Sequence, residues 1–332
     1  MRSAGPISSG IRAAGSTSSA RGWRRRVSSV ADREAHAHLP VLIDEVAFLL
    51  RPRRGGWVVD GTIGMGGHAE RILEGATSET RLFGVDRDPE AIRRAGLRLS
   101  RFGERVVLRH GSFRDIVQLA ADAGVSRAVA VLLDLGLSSY QLDESQRGFS
   151  FTRDESLDMR FDPTRGRTAA DLVNSMAPDE LARILFEYGE ERHARRIARR
   201  IEERRRRTPL RTTADLVAVV KEAVPRAAWP RRLHVATQTF QAVRMAVNQE
   251  SDALTEALPD AASLLEPGGR LGVISFHSGE DRIVKRSFRS LQSSGGFTEL
   301  LPSPIQAGRD EVKDNPRARS AKLRVLECQE AA

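Results

Sequence analysis

Short apolar runs alternate with helix-periodic segments along the first half of the chain, beginning at Trp57. The apolar runs predict strands at Trp57–Asp60, Arg81–Asp86, Val106–His110 and Ala128–Asp134. Apolar residues spaced three and four apart predict intervening helices at His68–Leu73 and Pro89–Ser100. Because strands that alternate with helices pair in parallel, this pattern predicts a doubly wound α/β fold with a mostly parallel sheet.

A long helical stretch separates the fourth predicted strand from the fifth. The fifth strand is expected at Arg270–Phe276, after a helix stop and turn at Glu266–Gly269. Since a βαβ unit needs only about 30 residues, the interval before it has room for an inserted domain. Helical patterns fill this interval at Ala169–Asn174, Pro178–Tyr188, Arg192–Arg207 and Thr213–Val224. We therefore expect a helical substrate-recognition domain at residues 143–244, inserted between sheet-domain segments 36–142 and 245–332.

The positive charge is concentrated at the start of the chain. The net charge is +9, and residues 1–31 contain six Arg and no acidic residue. We expect residues 1–35 to form a disordered basic tail, although an Arg-rich, Ser-rich and acid-free segment also resembles a mitochondrial transit peptide. Arg outnumbers Lys throughout, which indicates a general compositional bias and favours the bacterial cytoplasm over the mitochondrial matrix.

The apolar runs and the cysteine content exclude several classes of protein. No run approaches the roughly 18 consecutive apolar residues of a membrane span, so no membrane partner is expected. The only cysteine, Cys328, excludes an internal disulfide and a Cys-rich zinc cage. It is also poorly placed to be the thiolate nucleophile of an enzyme that methylates carbon 5 of a pyrimidine.

A glycine-rich turn at Asp60–His68 follows the first predicted strand. Its glycines, Gly64 and Gly66 among them, allow the backbone to approach a ligand closely. With Ala69 they also fit the G-x-G-x-x-A pattern of NAD-binding proteins. Asp60 favours S-adenosylmethionine as the cofactor, because a carboxylate here would orient the amino-acid part of that molecule and repel a pyrophosphate. A purely structural tight turn is the alternative.

Two further residues are candidates for contact with the adenosine part of the cofactor. Asp86 ends the second predicted strand, where a carboxylate accepts hydrogen bonds from both ribose hydroxyls. An isolated acid at this point could instead be a helix N-cap, a role that Asp88 fits better. Phe113 follows the third strand and either lies beside the adenine or belongs to the core.

The candidate catalytic residues follow the fourth predicted strand and are Asp134, Ser138 and Ser139. Their oxygens could aim an amino nitrogen at the methyl group, a reaction that needs orientation and loss of a proton but no covalent adduct. The alternative is that they only cap a turn. The Asn/Asp-Pro-Pro-aromatic motif common in enzymes that methylate base amino groups is missing here.

Arginine and aromatic residues on predicted loops favour a single-stranded RNA partner, since bases stack on rings and guanidinium groups hold phosphates. The candidate RNA-binding residues are Arg147, Phe149, Arg160, Arg244, His277 and Arg282. The neighbours of His277 do not form a metal-ligand set, so no metal is predicted. The run Arg192–Arg207 is either a solvated helix face or a contact with RNA phosphates.

The motifs of this chain resemble those of the RsmH (MraW) family, which methylates N4 of a cytidine in the decoding region of bacterial small-subunit rRNA. The resemblance extends from about His38 to Glu327. It is carried by Pro40–Glu45, Asp60–His68, Asp134–Asp143, Arg147–Phe151, Leu157–Arg160, Tyr188–Glu191, Ser275–Ser278, Glu280–Arg282 and Asn315–Leu323.

This resemblance implies a class I, Rossmann-like methyltransferase fold with a helical insertion that helps to bind the substrate. It implies a target at cytidine 1402 of 16S rRNA, within an assembled or nearly assembled 30S subunit. It also implies cofactor contacts at Gly66, Gly67, His68, Asp86, Phe113, Asp134 and Gln141.

The chain departs from the family pattern on the expected substrate side. Val235, Gln238 and Gly279 stand where the family usually has Pro, Arg and Leu, respectively. The alternatives that stay open are a methyltransferase for mitochondrial small-subunit rRNA, for another nucleic acid or for protein, and a catalytically weakened RNA-binding assembly factor. A nicotinamide dehydrogenase is a weaker alternative, and the oligomeric state is open.

Overall fold

A seven-stranded sheet forms the centre of the fold. The computed structural model describes residues 40–50, 52, 55–231 and 233–330, so the predicted tail lies outside the described residues. The strands follow the order β3-β2-β1-β4-β5-β7-β6 across the sheet. They are β1 Gly56–Asp60, β2 Thr80–Asp86, β3 Val106–His110, β4 Ala128–Asp134, β5 Leu265–Ser275, β6 Phe297–Glu299 and β7 Lys322–Cys328.

Strands β1 to β5 pair in parallel, and β7 is antiparallel to both β5 and β6. The predicted α/β fold with a mostly parallel sheet is therefore confirmed. The α-helices of the described residues are α1 Ile43–Leu49, α2 Gly67–Gly75, α3 Pro89–Leu99, α4 Ile116–Asp122, α5 Ser139–Asp143, α6 Ala169–Ser175, α7 Pro178–Gly189, α8 Ala194–Arg205, α9 Thr213–Ala223, α10 Thr237–Asn248, α11 Glu250–Ser263, α12 Ser278–Ser293 and α13 Arg309–Asp314.

Both faces of the sheet are buried, as parallel sheets require. Alternate residues of β1 point to opposite faces. Val58 packs in one apolar cluster with Leu82, and Val59 packs in another with Phe83. This burial on both sides explains why the strands read as continuous apolar runs in the sequence.

The fifth strand differs from its prediction at its start. It begins at Leu265 rather than Arg270. Leu265 pairs with Ala128 and Arg270 with Ala130, so residues 266–269 bulge out of the register without ending the strand. The interpretation of this segment as a turn before the strand is therefore wrong, because the strand begins before the bulge.

The sequence patterns did not predict β6 and β7. In β7, Arg324 is only 6% exposed and interrupts the apolar pattern by which a buried strand is recognised. Its guanidinium Nε lies 2.8 Å from an Asp281 oxygen, and its Nη1 lies 2.8 Å from a Glu299 oxygen. The two carboxylates offset the cost of burying the cation, and they come from distant parts of the chain.

The helices between β4 and β5 enclose their own apolar cluster, with buried side chains from Phe149 to Val243. The predicted domain end at residue 244 falls inside α10, which continues to Asn248. The buried Asn248 amide donates to Met159 O at 2.7 Å, and its oxygen accepts from Phe161 N at 2.8 Å. The division into a sheet domain and an inserted domain stays a prediction.

No helix among the described residues is both long and apolar enough to cross a membrane.

Candidate active site

Three carboxylates lie at the carboxyl ends of neighbouring strands. Asp60 ends β1 and is level with Gly84 of β2 and Leu132 of β4. Asp86 and Asp134 therefore stand two residues further along their own strands. Because the helices change sides between β1 and β4, this edge is the topological switch point at which α/β folds bind ligands.

The turn after β1 is built on the Asp60 side chain and on two glycines. Asp60 Oδ1 accepts from Thr62 N at 3.0 Å, and Gly64 N donates to Asp86 Oδ2 at 2.9 Å. Gly64 and Gly66 have φ values of +52° and +78°, which L side chains rarely adopt. A Cβ at Gly64 would meet nothing nearer than Thr62 O at 3.8 Å, so this side of the turn has room for a ligand.

Gly67, by contrast, is required by packing. A Cβ at this position would lie 2.3 Å from Pro40 Cγ, so the start of α2 could not approach the preceding segment. This contact explains why a glycine stands here without any ligand. The cofactor contact that the family resemblance implies for Gly67 stays a prediction.

The three carboxylates are buried, and burial makes their charged forms unfavourable. Burial raises the pKa of Asp60 to about 7, in spite of the hydrogen bond from Thr62, and repulsion from Asp86 adds to the effect. Burial likewise raises the pKa of Asp86 to about 6 and that of Asp134 well above its ordinary value. None of the three forms a salt bridge with a Lys or Arg of the described residues, so the site favours a cationic ligand.

His68 lies against Asp134 in a fixed protonation state. Its Nε2 is 2.9 Å from Val41 O, an atom that can only accept, so Nε2 carries the hydrogen. Burial lowers the pKa of His68 to about 4, so the ring is neutral and Nδ1 holds a lone pair. Nδ1 lies 3.5 Å from Asp134 Oδ2. Asp134 Oδ1 is buried and has no hydrogen-bond partner among the described residues.

Asp88 connects the start of α3 to the segment that follows β4. It caps α3 by accepting from Glu90 N at 3.1 Å, which confirms the predicted N-cap. Its other oxygen accepts from Gln141 Nε2 at 3.2 Å. Gln141 also forms a capping box with Ser138 at the start of α5, so the turn-capping alternative is realised for Ser138. Sequence reasoning assigned Asp88 the cap but missed its role as a buried junction.

Arg317 is a site residue that the sequence analysis did not single out. Its guanidinium contacts Ser139 Oγ and lies 2.6 Å from Asp143 Oδ2. It belongs to the block Asn315–Leu323, one of the blocks by which the chain resembles its family. That membership was the signal that could have drawn attention to it.

Phe113 begins a short 3₁₀ helix after β3 and packs half-buried against the core. A Cβ added at Gly61 would lie 3.1 Å from the Phe113 Cβ, so Phe113 packs closely against the start of the glycine-rich turn. Its proposed contact with adenine stays a prediction.

Two of the candidate RNA-binding residues are largely committed to the protein. Arg147 donates to the carbonyls of Arg160 and Phe161 at 3.1 and 2.9 Å and contacts the carboxylate of Asp88. Phe149 is 7% exposed and stacks on Phe161 with ring centroids 5.7 Å apart. Both residues therefore hold the loop together, and their contact with RNA stays a prediction.

Arg160 and Arg282 remain partly accessible. Arg160 forms a two-pronged pair with Asp158, with N–O distances of 2.8 and 2.7 Å. Arg282 is more exposed and lies 3.1 Å from Glu190, which also accepts from Ser278 Oγ at 2.8 Å. The Arg282–Glu190 pair is exposed and is weak enough for a phosphate to replace the carboxylate, whereas the Arg160–Asp158 pair is part-buried.

His277 and Arg244 flank a buried carboxylate. His277 caps α12 by accepting from Glu280 N through Nδ1, and Glu280 accepts from Phe276 N at 2.7 Å. Burial would raise the pKa of Glu280, but His277, Arg244 and the Phe276 N–H lower it below its ordinary value. Arg244 itself forms a two-pronged pair with Glu250 at 2.8 Å.

The three departures from the family pattern lie on helix starts. Val235 is buried in the helical cluster just before α10. Gln238, in the first turn of α10, reaches Glu190 O at 3.4 Å. Gly279 is in the first turn of α12, where a Cβ would lie 3.1 Å from His277 Nδ1. A larger residue at 279 would therefore crowd the cap of that helix.

The described residues contain no group of three or more His, Cys, Asp or Glu side chains that could hold a metal ion.

The sheet order, the glycine turn and the unpaired carboxylates define a class I methyltransferase. The buried, unpartnered Asp134 oxygen and the open side of Gly64 fit S-adenosylmethionine, a cation with a sulfonium centre. The chain belongs to the MraW methylase family, which matches residues 35–329. The predicted family, fold and S-adenosylmethionine cofactor are thus confirmed.

Relatives of similar sequence support this assignment. Ribosomal RNA small subunit methyltransferase H of Syntrophotalea carbinolica is 50% identical over 309 residues, which cover 89% of this chain and 98% of the relative. The protein of the same name from Geobacter sp. (strain M21) is 50% identical over 305 residues, 87% and 98% of the two chains. The structure of an S-adenosylmethionine-dependent O-methyltransferase from Thermotoga maritima is 9% identical with a TM-score of 0.38, and the match covers 93% of this chain and 69% of that one.

Proposed function

We propose that this protein methylates the N4 amino group of a cytidine in the decoding region of 16S rRNA, at the family's position 1402. The observation that carries the proposal is the buried oxygen of Asp134, which has no partner among the described residues and lies beside the cofactor turn. Two relatives that share 50% identity with this chain are named small-subunit rRNA methyltransferases. The substrate is a 30S subunit, and the compartment is the bacterial cytoplasm.

The residues at the carboxyl edge of the sheet hold the cofactor. Asp60 attracts its ammonium group, Asp86 accepts from its ribose hydroxyls, and the backbone at Gly64 and Gly66 approaches it closely. Phe113 contacts the adenine. The remaining contacts that the family resemblance supports are those of Gly67, His68, Asp134 and Gln141. When bound, S-adenosylmethionine supplies an electrophilic methyl group on a positively charged sulfur.

Asp134 orients the amino group that receives the methyl. Bound S-adenosylmethionine would supply the methyl group to N4, and N4 would give up one proton to water. Asp134 Oδ1 accepts one N4–H, which aims the nitrogen lone pair and stabilises the positive charge that develops on N4. Ser139, held by Arg317, is positioned to accept the second N4–H, while Ser138 fixes the turn.

The target cytidine has to leave its stack to reach this edge of the sheet. Arg282 and Arg160 are the accessible cations that hold neighbouring phosphates. His277 pairs with Glu280 and Arg244 pairs with Glu250, and these pairs hold the two side chains in place beside the RNA. Arg147 and Phe149 contribute indirectly, because they fix the loop that carries Arg160.

Transfer of label from S-adenosylmethionine to 30S subunits tests the proposal. The subunits come from cells that lack the enzyme, and we expect the label in a single cytidine of 16S rRNA. Asp134→Asn should lower kcat at saturating cofactor by about 100-fold or more, the size expected for loss of an aimed acceptor. Asp122→Asn, which changes an exposed carboxylate on α4, should leave kcat unchanged. Cofactor binding with no label transfer by the wild type would favour the assembly-factor alternative.

A further inference from the structure

Helix α8 separates its arginines into two groups. Its inner face buries Ala194, Ile197, Ala198 and Ile201 at helical spacing. The opposite face carries exposed arginines at the same spacing, beginning two residues before the helix. We call these four residues the arginine stripe, and they are Arg192, Arg195, Arg196 and Arg199.

The two groups differ in their ion pairs. The arginines near the end of the helix are paired, Arg200 with Glu222 and Glu203, Arg204 with Asp215, and Arg205 and Arg206 with Glu202. The stripe residues make no ion pair and no side-chain hydrogen bond with any described residue. Four neighbouring guanidinium groups without counter-charges repel one another. This unfavourable arrangement is relieved when an anion binds.

The stripe begins next to the active site. Glu190, at the end of α7, accepts from Ser278 Oγ at 2.8 Å and pairs with Arg282. Ser278 starts α12 directly after β5, at the carboxyl edge of the sheet where the three carboxylates lie. The stripe begins two residues after Glu190 and extends to Arg199, about 10 Å along the helix axis. A polymer that enters the site along this edge therefore meets these basic side chains a short distance from the site.

We propose that the arginine stripe binds the phosphate backbone of the RNA substrate outside the methyl-transfer site. This inference rests on the proposed function in taking RNA as the substrate. The planar guanidinium fork matches two phosphate oxygens at once. RNA is favoured over a membrane surface because the stripe carries no apolar residue that could enter a bilayer. The contact supplies affinity without sequence preference, since phosphates carry no base information.

The test compares two triple variants that remove the same charge from the same helix. Arg195→Gln/Arg196→Gln/Arg199→Gln removes most of the stripe. Arg200→Gln/Arg204→Gln/Arg206→Gln removes paired arginines and is the matched control. Binding to purified 30S subunits is measured between 50 and 200 mM KCl, with circular dichroism to check that both variants fold.

We expect the stripe variant to bind about tenfold more weakly near 100 mM KCl. The slope of log K against log salt should shrink by about two, because three phosphate contacts to a single strand are lost. Its kcat at saturating 30S should match the wild type. The control variant should bind within about twofold of the wild type. If one variant fails to fold, the single substitutions Arg196→Gln and Arg200→Gln replace the triple ones.

Equal losses in both variants would overturn the proposal, since net charge alone would then explain binding. An unchanged slope in the stripe variant would also overturn it. The proposal would also be overturned if the stripe variant lost binding to phosphatidylglycerol vesicles but bound 30S subunits as tightly as the wild type. These outcomes are distinguishable from failure of the proposed function, which label transfer from the wild type to 16S rRNA tests separately.

Discussion

Asp60 makes cofactor binding depend on pH. The folded protein holds the Asp60 proton up to about pH 7, whereas an unperturbed Asp releases it near 3.8. The stability that this group contributes is therefore fully present below about pH 4 and is lost as the pH rises through 7. A cationic cofactor binds the charged carboxylate, so its affinity changes in the opposite direction and increases with pH.

The first prediction concerns the rise of cofactor affinity with pH. Between pH 5.5 and 7, the association constant for S-adenosylmethionine should rise about tenfold as Asp60 loses its proton. In Asp60→Asn the binding should be weaker and most of this rise should disappear. Asp122→Asn is the control, because it removes an exposed carboxylate on α4, away from the carboxyl edge of the sheet, and it should keep the full rise. Calorimetry that gave parallel pH profiles for the wild type and Asp60→Asn would contradict the assignment of Asp60.

The second prediction concerns the ring of His68. Its contact with Val41 O and its pKa near 4 predict a neutral ring protonated on Nε2 at every pH above about 5. Nitrogen-15 NMR of the imidazole should show this tautomer without titration from pH 8 to 5. A His68 signal that titrates near 6.5 would show that the buried contact does not form.

The sequence predicted much of the site at this scale, and the reason is geometric. Asp60, Asp86 and Asp134 each follow an apolar run, and the ends of parallel strands meet at one edge. Contacts between distant segments could not be predicted in the same way. The contacts of Asp88 with Arg147, and of Arg317 with Ser139, depend on how loops return to the sheet, which no local pattern encodes.

Among the secondary-structure elements, a buried ion pair links the start of α3 to the loop after α5. Arg147 and Asp88 have side chains only 12% and 2% exposed. Arg147 also donates to the carbonyls of Arg160 and Phe161. Loss of the guanidinium would leave a buried carboxylate without its cation and two carbonyls without a donor.

The third prediction follows from this link. Arg147→Met should lower the free energy of unfolding by about 3–5 kcal/mol, the cost of breaking a buried pair. Arg206→Met is the control, because Arg206 is 74% exposed and pairs with Glu202 on the surface, where a pair contributes at most about 1 kcal/mol. Urea denaturation of the two variants measures the difference. Equal midpoints would mean that the link adds nothing to the fold.

The strands were predicted well where both faces are apolar and less well elsewhere. Strands β1, β2 and β4 consist mainly of buried apolar residues, so their bounds followed from the sequence to within one residue. Strand β3 was also predicted, although it ends on the exposed Arg109 and His110. The bulge at residues 266–269 concealed the start of β5, and the buried charge of Arg324 concealed β7. In β7 the carboxylates of Asp281 and Glu299 compensate for a buried charge that is unfavourable in a strand.

For the whole molecule, the sheet and the helices between β4 and β5 have different roles in the proposed reaction. The carboxyl edge of the sheet carries the acids that attract a cationic cofactor. The helices that follow β4 carry the arginine stripe, which leads away from that edge. The family assignment rests on residues 35–329 and does not depend on the basic segment before them.

The most direct test of the central claim is a modification map of 16S rRNA from a strain that lacks this gene. Mass spectrometry should find one cytidine of the decoding region without its N4 methyl group. The wild-type gene should restore the methyl group, and Asp134→Asn should not. A decoding-region cytidine that keeps its N4 methyl group in the deletion strain would contradict the account.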